Sequence, residues 1–217
     1  MPGMAASPRI FEYLRFPEAY EVVYLSWMPP QKNESIAMYA KRMNERITHE
    51  RPILLGVSFG GILVQEIAKI RPVSLVIIVS SVKSNLEFPS SMRVAKKTGA
   101  HKLLPTQWIK NLESLALQVF GDAIKARVDS YQKYLSERDP DYLDWSIDTM
   151  VHWTQTDFDP NTVHIHGDAD TVFPFKYLDT SNRFYQLSKA THAMILTHHK
   201  WFNSHLPNII KQHAHED

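Results

Sequence analysis

One stretch, from Arg51 to Ile67, constrains the fold more than any other. An apolar run of strand length, Ile53 to Val57, ends at Ser58, and helical spacing then takes over, with Ile62, Leu63, Ile67 and Ile70 on one face. The order is strand, sharp turn, helix. Gly56-Val57-Ser58-Phe59-Gly60 fits G-x-S-x-G, in which glycines on both sides let strand and helix approach closely and the serine takes a strained backbone geometry that projects its hydroxyl. That hydroxyl lies at a helix N-terminus, where free backbone N–H groups stabilise developing negative charge. A glycine-serine turn between strand and helix is also a common structural device in α/β proteins, so the motif carries chemistry only if a base and an acid follow it.

The 217 residues suffice for one domain with a full core, and the 44% hydrophobic and 22% charged residues match an ordinary globular balance. A formal net charge of +1 provides no global field for nucleic acid or a membrane surface. Without cysteine the chain has no disulfide, no thiolate metal site and no thiol nucleophile, so a nucleophile must be oxygen or nitrogen. No stretch approaches the roughly 18 apolar residues that span a bilayer, and the start of the chain lacks the pattern of a secretory leader, which makes a cytoplasmic location the expectation.

Taken in order, Pro8 to Leu14 reads as a short helix capped by Ser7, and Glu21 to Trp27 as a strand stopped by Pro29 and Pro30. Ser35 to His49 reads as an amphipathic helix through Ile36, Tyr39, Ala40, Met43 and Ile47. Val73 to Val79 is a second dense β-branched run, as in a parallel strand covered on both faces. Strands alternating with helices imply a mostly parallel central sheet flanked by helices, an α/β fold. From about 87 to 151 the alternation breaks into helical patterning, read as a helical cap insertion in a single domain of residues 1–217. Tyr142 to Trp153 is a helix with Leu143, Ile147 and Met150 on one side, strands return near Thr162 to Gly167 and Arg183 to Leu187, and a last helix, Lys200 to Gln212, is disturbed by Pro207.

A serine hydroxyl is a weak nucleophile until a base takes its proton, and the base needs an anionic partner. His166-Gly167-Asp168-Ala169-Asp170 follows a strand, with Pro174 beyond it, and His192 follows the last strand beside an apolar stretch. This H-G-x-x-D-x-x-x-P pattern, and the order serine, aspartate, histidine, resemble the α/β-hydrolase fold family. The resemblance implies Asp170 as the acid, His192 as the base and Ser58 as the nucleophile, with Asp168 bracing the turn. It implies an oxyanion hole from the backbone N–H groups of Phe59 and, by the match of Pro2-Gly3-Met4 to an early glycine loop, Met4. It also implies a strand feeding that loop, lying between Glu21–Trp27 and Ile53–Val57. Either those two strands close directly or the natural protein starts upstream of Met1, and the expectation is an N-terminally shortened hydrolase fold. Each buried edge group left unpaired would cost about 1–3 kcal/mol.

The expected function is cleavage of a carboxylic ester or related acyl bond of a small or medium, apolar substrate, through an acyl-enzyme and without a cofactor. Trp108, Phe120, Tyr131 and Trp145 are candidate wall residues of the cap. Two other readings compete: a catalytically impaired, hydrolase-like binding module, and a metal-dependent hydrolase built on His164, His166 and Asp168, which spell H-x-H-x-D but are followed by Ala169 in place of a further histidine.

Overall fold

The computed structural model describes residues 1–98 and 133–214. Among these residues four strands, β1 (Ile53–Val57), β2 (Leu75–Val79), β3 (Val163–Gly167) and β4 (Phe184–Leu187), form one sheet in the order β1-β2-β3-β4. All three pairings are parallel, with Leu55 opposite Ile77, Val79 opposite Ile165, and Ile165 opposite Tyr185. Every residue of β2 and β3 is buried; β2 accordingly reads as an unbroken apolar run, whereas β3 carries the buried His164 and His166 between its apolar residues.

Among the described residues the helices are α1 (Ile36–Asn44), α2 (Phe59–Ala68), α3 (Ser90–Thr98), α4 (Pro140–His152), α5 (Met194–Thr197) and α6 (His199–His213). Helix α1 starts where Ser35 accepts a hydrogen bond from the Met38 N–H, and it buries Tyr39, Ala40 and Met43 as expected. It stops at Asn44, short of the expected end. Helix α2 is buried on all sides from Phe59 to Ile67, while Ile70 lies beyond its end and is exposed. Asp139 caps α4 through the Tyr142 N–H, and this helix buries Tyr142, Leu143, Ser146 and Val151, a face rotated from the one expected. Helix α6 runs through Pro207 and buries Phe202, Leu206, Ile209 and Ile210. Near the start, Pro8–Phe11 is only a 3-10 turn, and Ser7 makes no side-chain cap. Helices α3 and α4 are the described ends of the expected cap; Trp108, Phe120 and Tyr131 lie outside the described residues. Among the described residues, no helix is long and apolar enough to cross a membrane.

The expected strand Glu21–Trp27 is not part of the sheet. Only Leu25 and Trp27 of this segment are buried, while Val22, Val23 and Tyr24 are 38%, 54% and 47% exposed. Strand propensity is local, but a ladder needs a neighbour with free donors and acceptors. On the outer edge of β1 that place is held by Met1, whose N bonds the Leu55 carbonyl at 2.7 Å and whose carbonyl accepts the Val57 N–H at 3.0 Å. Glu21–Trp27 and β1 therefore do not close directly. A groove of about 150 Å³ lies between them, lined by Phe11, Leu14, Val23, Leu25, Leu55 and Ile210 among others.

Two glycines let α2 turn back on the sheet. A Cβ at Gly56 would sit 2.3 Å from the Gly60 carbonyl oxygen, and one at Gly61 would sit 2.4 Å from Ser81 Oγ. Gly61→Ala is expected to destabilise the fold by about 1–3 kcal/mol, the usual result of overpacking, read as a lowered midpoint in urea unfolding. An unchanged midpoint would mean that α2 and the Ser81 loop are not held that close.

Candidate active site

Strands of a parallel sheet present their carboxyl ends to one side, where α/β proteins place their ligands. Ser58 follows β1, Asp170 lies just past β3, and His192 lies just past β4. Ser58 has φ 53° and ψ −123°, a conformation that non-glycine residues rarely adopt and that costs about 1–3 kcal/mol. Three hydrogen bonds hold it: the Ser58 N–H donates to the Val79 carbonyl at 2.9 Å, and the Ser58 carbonyl accepts from the Gly61 N–H at 2.8 Å and from Ser81 Oγ at 2.7 Å.

The side chain of Ser58 meets His192, whose Nε2 lies 2.9 Å from Ser58 Oγ and whose Nδ1 lies 2.8 Å from Asp170 Oδ2. A carboxylate can only accept, so Nδ1 carries the proton, and Nε2 is left with a lone pair facing the serine hydroxyl. Asp170 and His192 are both buried, and Phe173 packs edge-on against the imidazole with 5.6 Å between ring centroids.

Asp170 is fully engaged. Its Oδ1 accepts from the backbone N–H groups of Val172 at 2.8 Å and Phe173 at 3.0 Å. Burial by itself would raise its pKa. Electrostatic attraction to the His192 imidazole and hydrogen bonds from His166 and His192 outweigh burial and hold the carboxyl well below the ordinary range, so it stays ionised.

The residues of the metal reading do not converge. The rings of His164 and His166 bond each other, Nε2 to Nδ1 at 3.1 Å. His166 Nε2 faces the Phe173 carbonyl at 3.0 Å and Asp170 Oδ2 at 3.3 Å. Both are acceptors, so His166 Nε2 is protonated and its Nδ1 accepts from His164. Asp168 instead accepts from the Lys189 N–H at 2.6 Å and from Gln186 Nε2 at 3.1 Å, which is the turn-bracing role expected of it. Among the described residues, no three potential ligands gather around one point.

The early glycine loop abuts the serine, since a Cβ at Gly3 would lie 3.2 Å from Ser58 Cβ. The N–H groups of Met4 and Phe59 have no protein acceptor among the described residues. Trp145, a candidate wall residue, is half-buried and tied to the Glu34 carbonyl at 2.7 Å, with its ring 4.4 Å from Tyr39 and 5.9 Å from Phe59. Sequence reasoning missed Ser81, which no local pattern marks, and His166, whose place in H-G-x-x-D was visible but whose bond to Asp170 was not.

No family model matches the chain, and no curated protein matches it by sequence. Solved structures do match. An esterase from Exiguobacterium antarcticum aligns at TM-score 0.74 and 18% identity over 97% of this chain and 92% of that one. A bromoperoxidase from Bacillus anthracis aligns at 0.63 and 18% over 97% and 91%, and a thermophilic esterase from Thermogutta terrifontis at 0.66 and 12% over 99% and 89%. The chain has the α/β-hydrolase fold. Within this hydrolase fold, the early loop, the turn after β1 and the loops after β3 and β4 meet at one edge of the sheet.

The buried His164 is expected to make the stability of this fold depend on pH. Burial above all, then the neighbouring His166 and Lys83, push its pKa well below the ordinary value. Its imidazole takes a proton near pH 6.5 when unfolded but resists it when folded. This contribution to stability is therefore complete above about pH 6.5 and is lost as pH falls below it, by at most about 1.4 kcal/mol per pH unit. His164→Leu is expected to flatten the decline in unfolding free energy between pH 6.5 and 5, and an undiminished slope would show that His164 is not its source.

Proposed function

We propose that the protein is a serine hydrolase that cleaves a carboxylic ester, or a related acyl bond, of a small or medium apolar substrate. One observation carries the reading: Ser58, in a strained turn at the start of α2, shares a continuous hydrogen-bonded line with His192 and the ionised Asp170. The same reading keeps residues 87–151 as the cap insertion, of which 99–132 lie outside the described residues.

In the first step Ser58 Oγ bonds to the acyl carbon and its proton passes to His192 Nε2. The carbonyl electron pair moves onto oxygen, where the N–H groups of Phe59 and Met4 receive the charge. Collapse breaks the bond to the leaving group, which takes the proton from His192. Water then attacks the acyl-enzyme, gives a proton to His192, and releases the acid as Ser58 regains its hydrogen. Asp170 stays ionised throughout, fixing the tautomer of His192 and stabilising its cation. A general base contributes about 10²- to 10⁴-fold, and one oxyanion donor about 10²- to 10³-fold in kcat.

The groove beside β1 favours a second reading, a hydrolase-like binding module that folds but does not turn over. Steady-state kinetics on p-nitrophenyl acetate and butyrate separate the two. Under the hydrolase reading, Ser58→Ala removes turnover, and Asp170→Asn, which leaves His192 in the wrong tautomer, lowers kcat by about 10⁴-fold. Ester cleavage unchanged by Ser58→Ala would sink the hydrolase reading, and a well-folded protein inert to both esters would favour the binding module.

A further inference from the structure

We infer that Trp27 is the positioning residue of the oxyanion site, one side chain that orients the Met4 donor and steadies the Phe59 donor. This inference rests on the serine-hydrolase reading above. Trp27 Nε1 donates to the Gly3 carbonyl at 2.9 Å in a buried setting. A trans peptide is planar, with its C=O and N–H pointing in opposite directions. The Gly3 carbonyl and the Met4 N–H belong to the same peptide unit, so the indole fixes the direction of the donor by holding the oxygen behind it.

Gly3 lacks a side chain and cannot restrain that plane itself. Its carbonyl has one other partner, the Ala6 N–H at 3.1 Å, in a turn that places Ala5 at φ 62°. Without the indole, the plane would depend on that single neutral bond within the turn.

The same indole lies stacked on Phe59, with ring centroids 5.2 Å apart and planes at 15°. Phe59 supplies the other N–H. Both donors of the proposed oxyanion hole are thus referred to one rigid ring. The ring is itself fixed from other elements, by Tyr142 at 5.3 Å and Tyr39 at 6.2 Å. The hydroxyl of Tyr39 clamps the next residue, accepting from the Met28 N–H at 2.8 Å and donating to the Met28 carbonyl at 2.9 Å. This clamp matters because Glu21–Trp27 has no strand ladder to hold it.

The test replaces Trp27 by 3-benzothienylalanine, which keeps the bicyclic shape and puts sulfur where the N–H was, with Trp27→Phe as a second variant that also retains an aromatic ring. Kinetics on p-nitrophenyl acetate are measured across pH. One oxyanion donor is worth about 10²- to 10³-fold in kcat, so loosening it is expected to lower kcat about 10- to 100-fold in both variants. KM and the pH of half-maximal kcat, which report substrate binding and His192, stay in place. A benzothienyl variant with kcat within about twofold of the parent, or one whose loss lies in KM or in a displaced pH profile, would overturn the inference and leave the hydrolase reading standing. A parent protein that turns over neither ester would remove both.

Discussion

The site depends on a backbone conformation that Ser58 would not choose by itself. At φ 53° and ψ −123° the residue is out of place for an L-amino acid, and the surrounding structure must supply the difference. It does so with hydrogen bonds on both sides of the residue, its N–H donating to the Val79 carbonyl of β2 and its carbonyl accepting from Gly61 and Ser81. Close contact between Gly56 and Gly60 allows helix α2 to leave the strand at once. The hydroxyl is thereby raised above the sheet edge while the backbone beneath it stays buried.

The electrostatics follow from that placement. Four donors converge on Asp170, two from backbone and two from imidazoles, so burial does not neutralise it. Because Asp170 is an anion in a buried site, the Nδ1 proton of His192 is fixed and the lone pair of Nε2 faces Ser58 Oγ. His166 extends the line inward, and its tautomer is set by the Phe173 carbonyl on one side and by His164 on the other. The histidines that looked like metal ligands in sequence thus form a buried hydrogen-bonded pair behind Asp170.

Much of this was legible in the sequence because it is written locally. Apolar runs announced β1 and β2, a return of strand patterning around Val163 and Ile165 announced β3, the spacing of Tyr39, Ala40 and Met43 announced α1, and G-x-S-x-G announced the turn. Asp170 was separable from Asp168 only through the resemblance of the loop, since both are aspartates in one turn. What failed was non-local. Glu21–Trp27 has the composition of a strand, but Met1 holds the edge of β1 that it would need. The position of Trp27 followed from the same fact, because its indole reaches Gly3 across the fold through a contact that no periodicity encodes. The expected helix from Ser35 to His49 ends at Asn44, beyond which the Arg46 and Ile47 N–H groups bond the Met43 and Asn44 carbonyls three residues back, a tightening of the last turn that the apolar spacing does not encode.

The central claim is that Ser58 is an activated nucleophile. Labelling with a fluorophosphonate, followed by peptide mapping and run beside a thermal melt and a Ser58→Ala control, tests it most directly. The account expects one label, on the peptide containing Ser58, in a cooperatively melting protein, and none in the control. A cooperatively melting protein that takes no label, or a control labelled as fast as the parent, would contradict it.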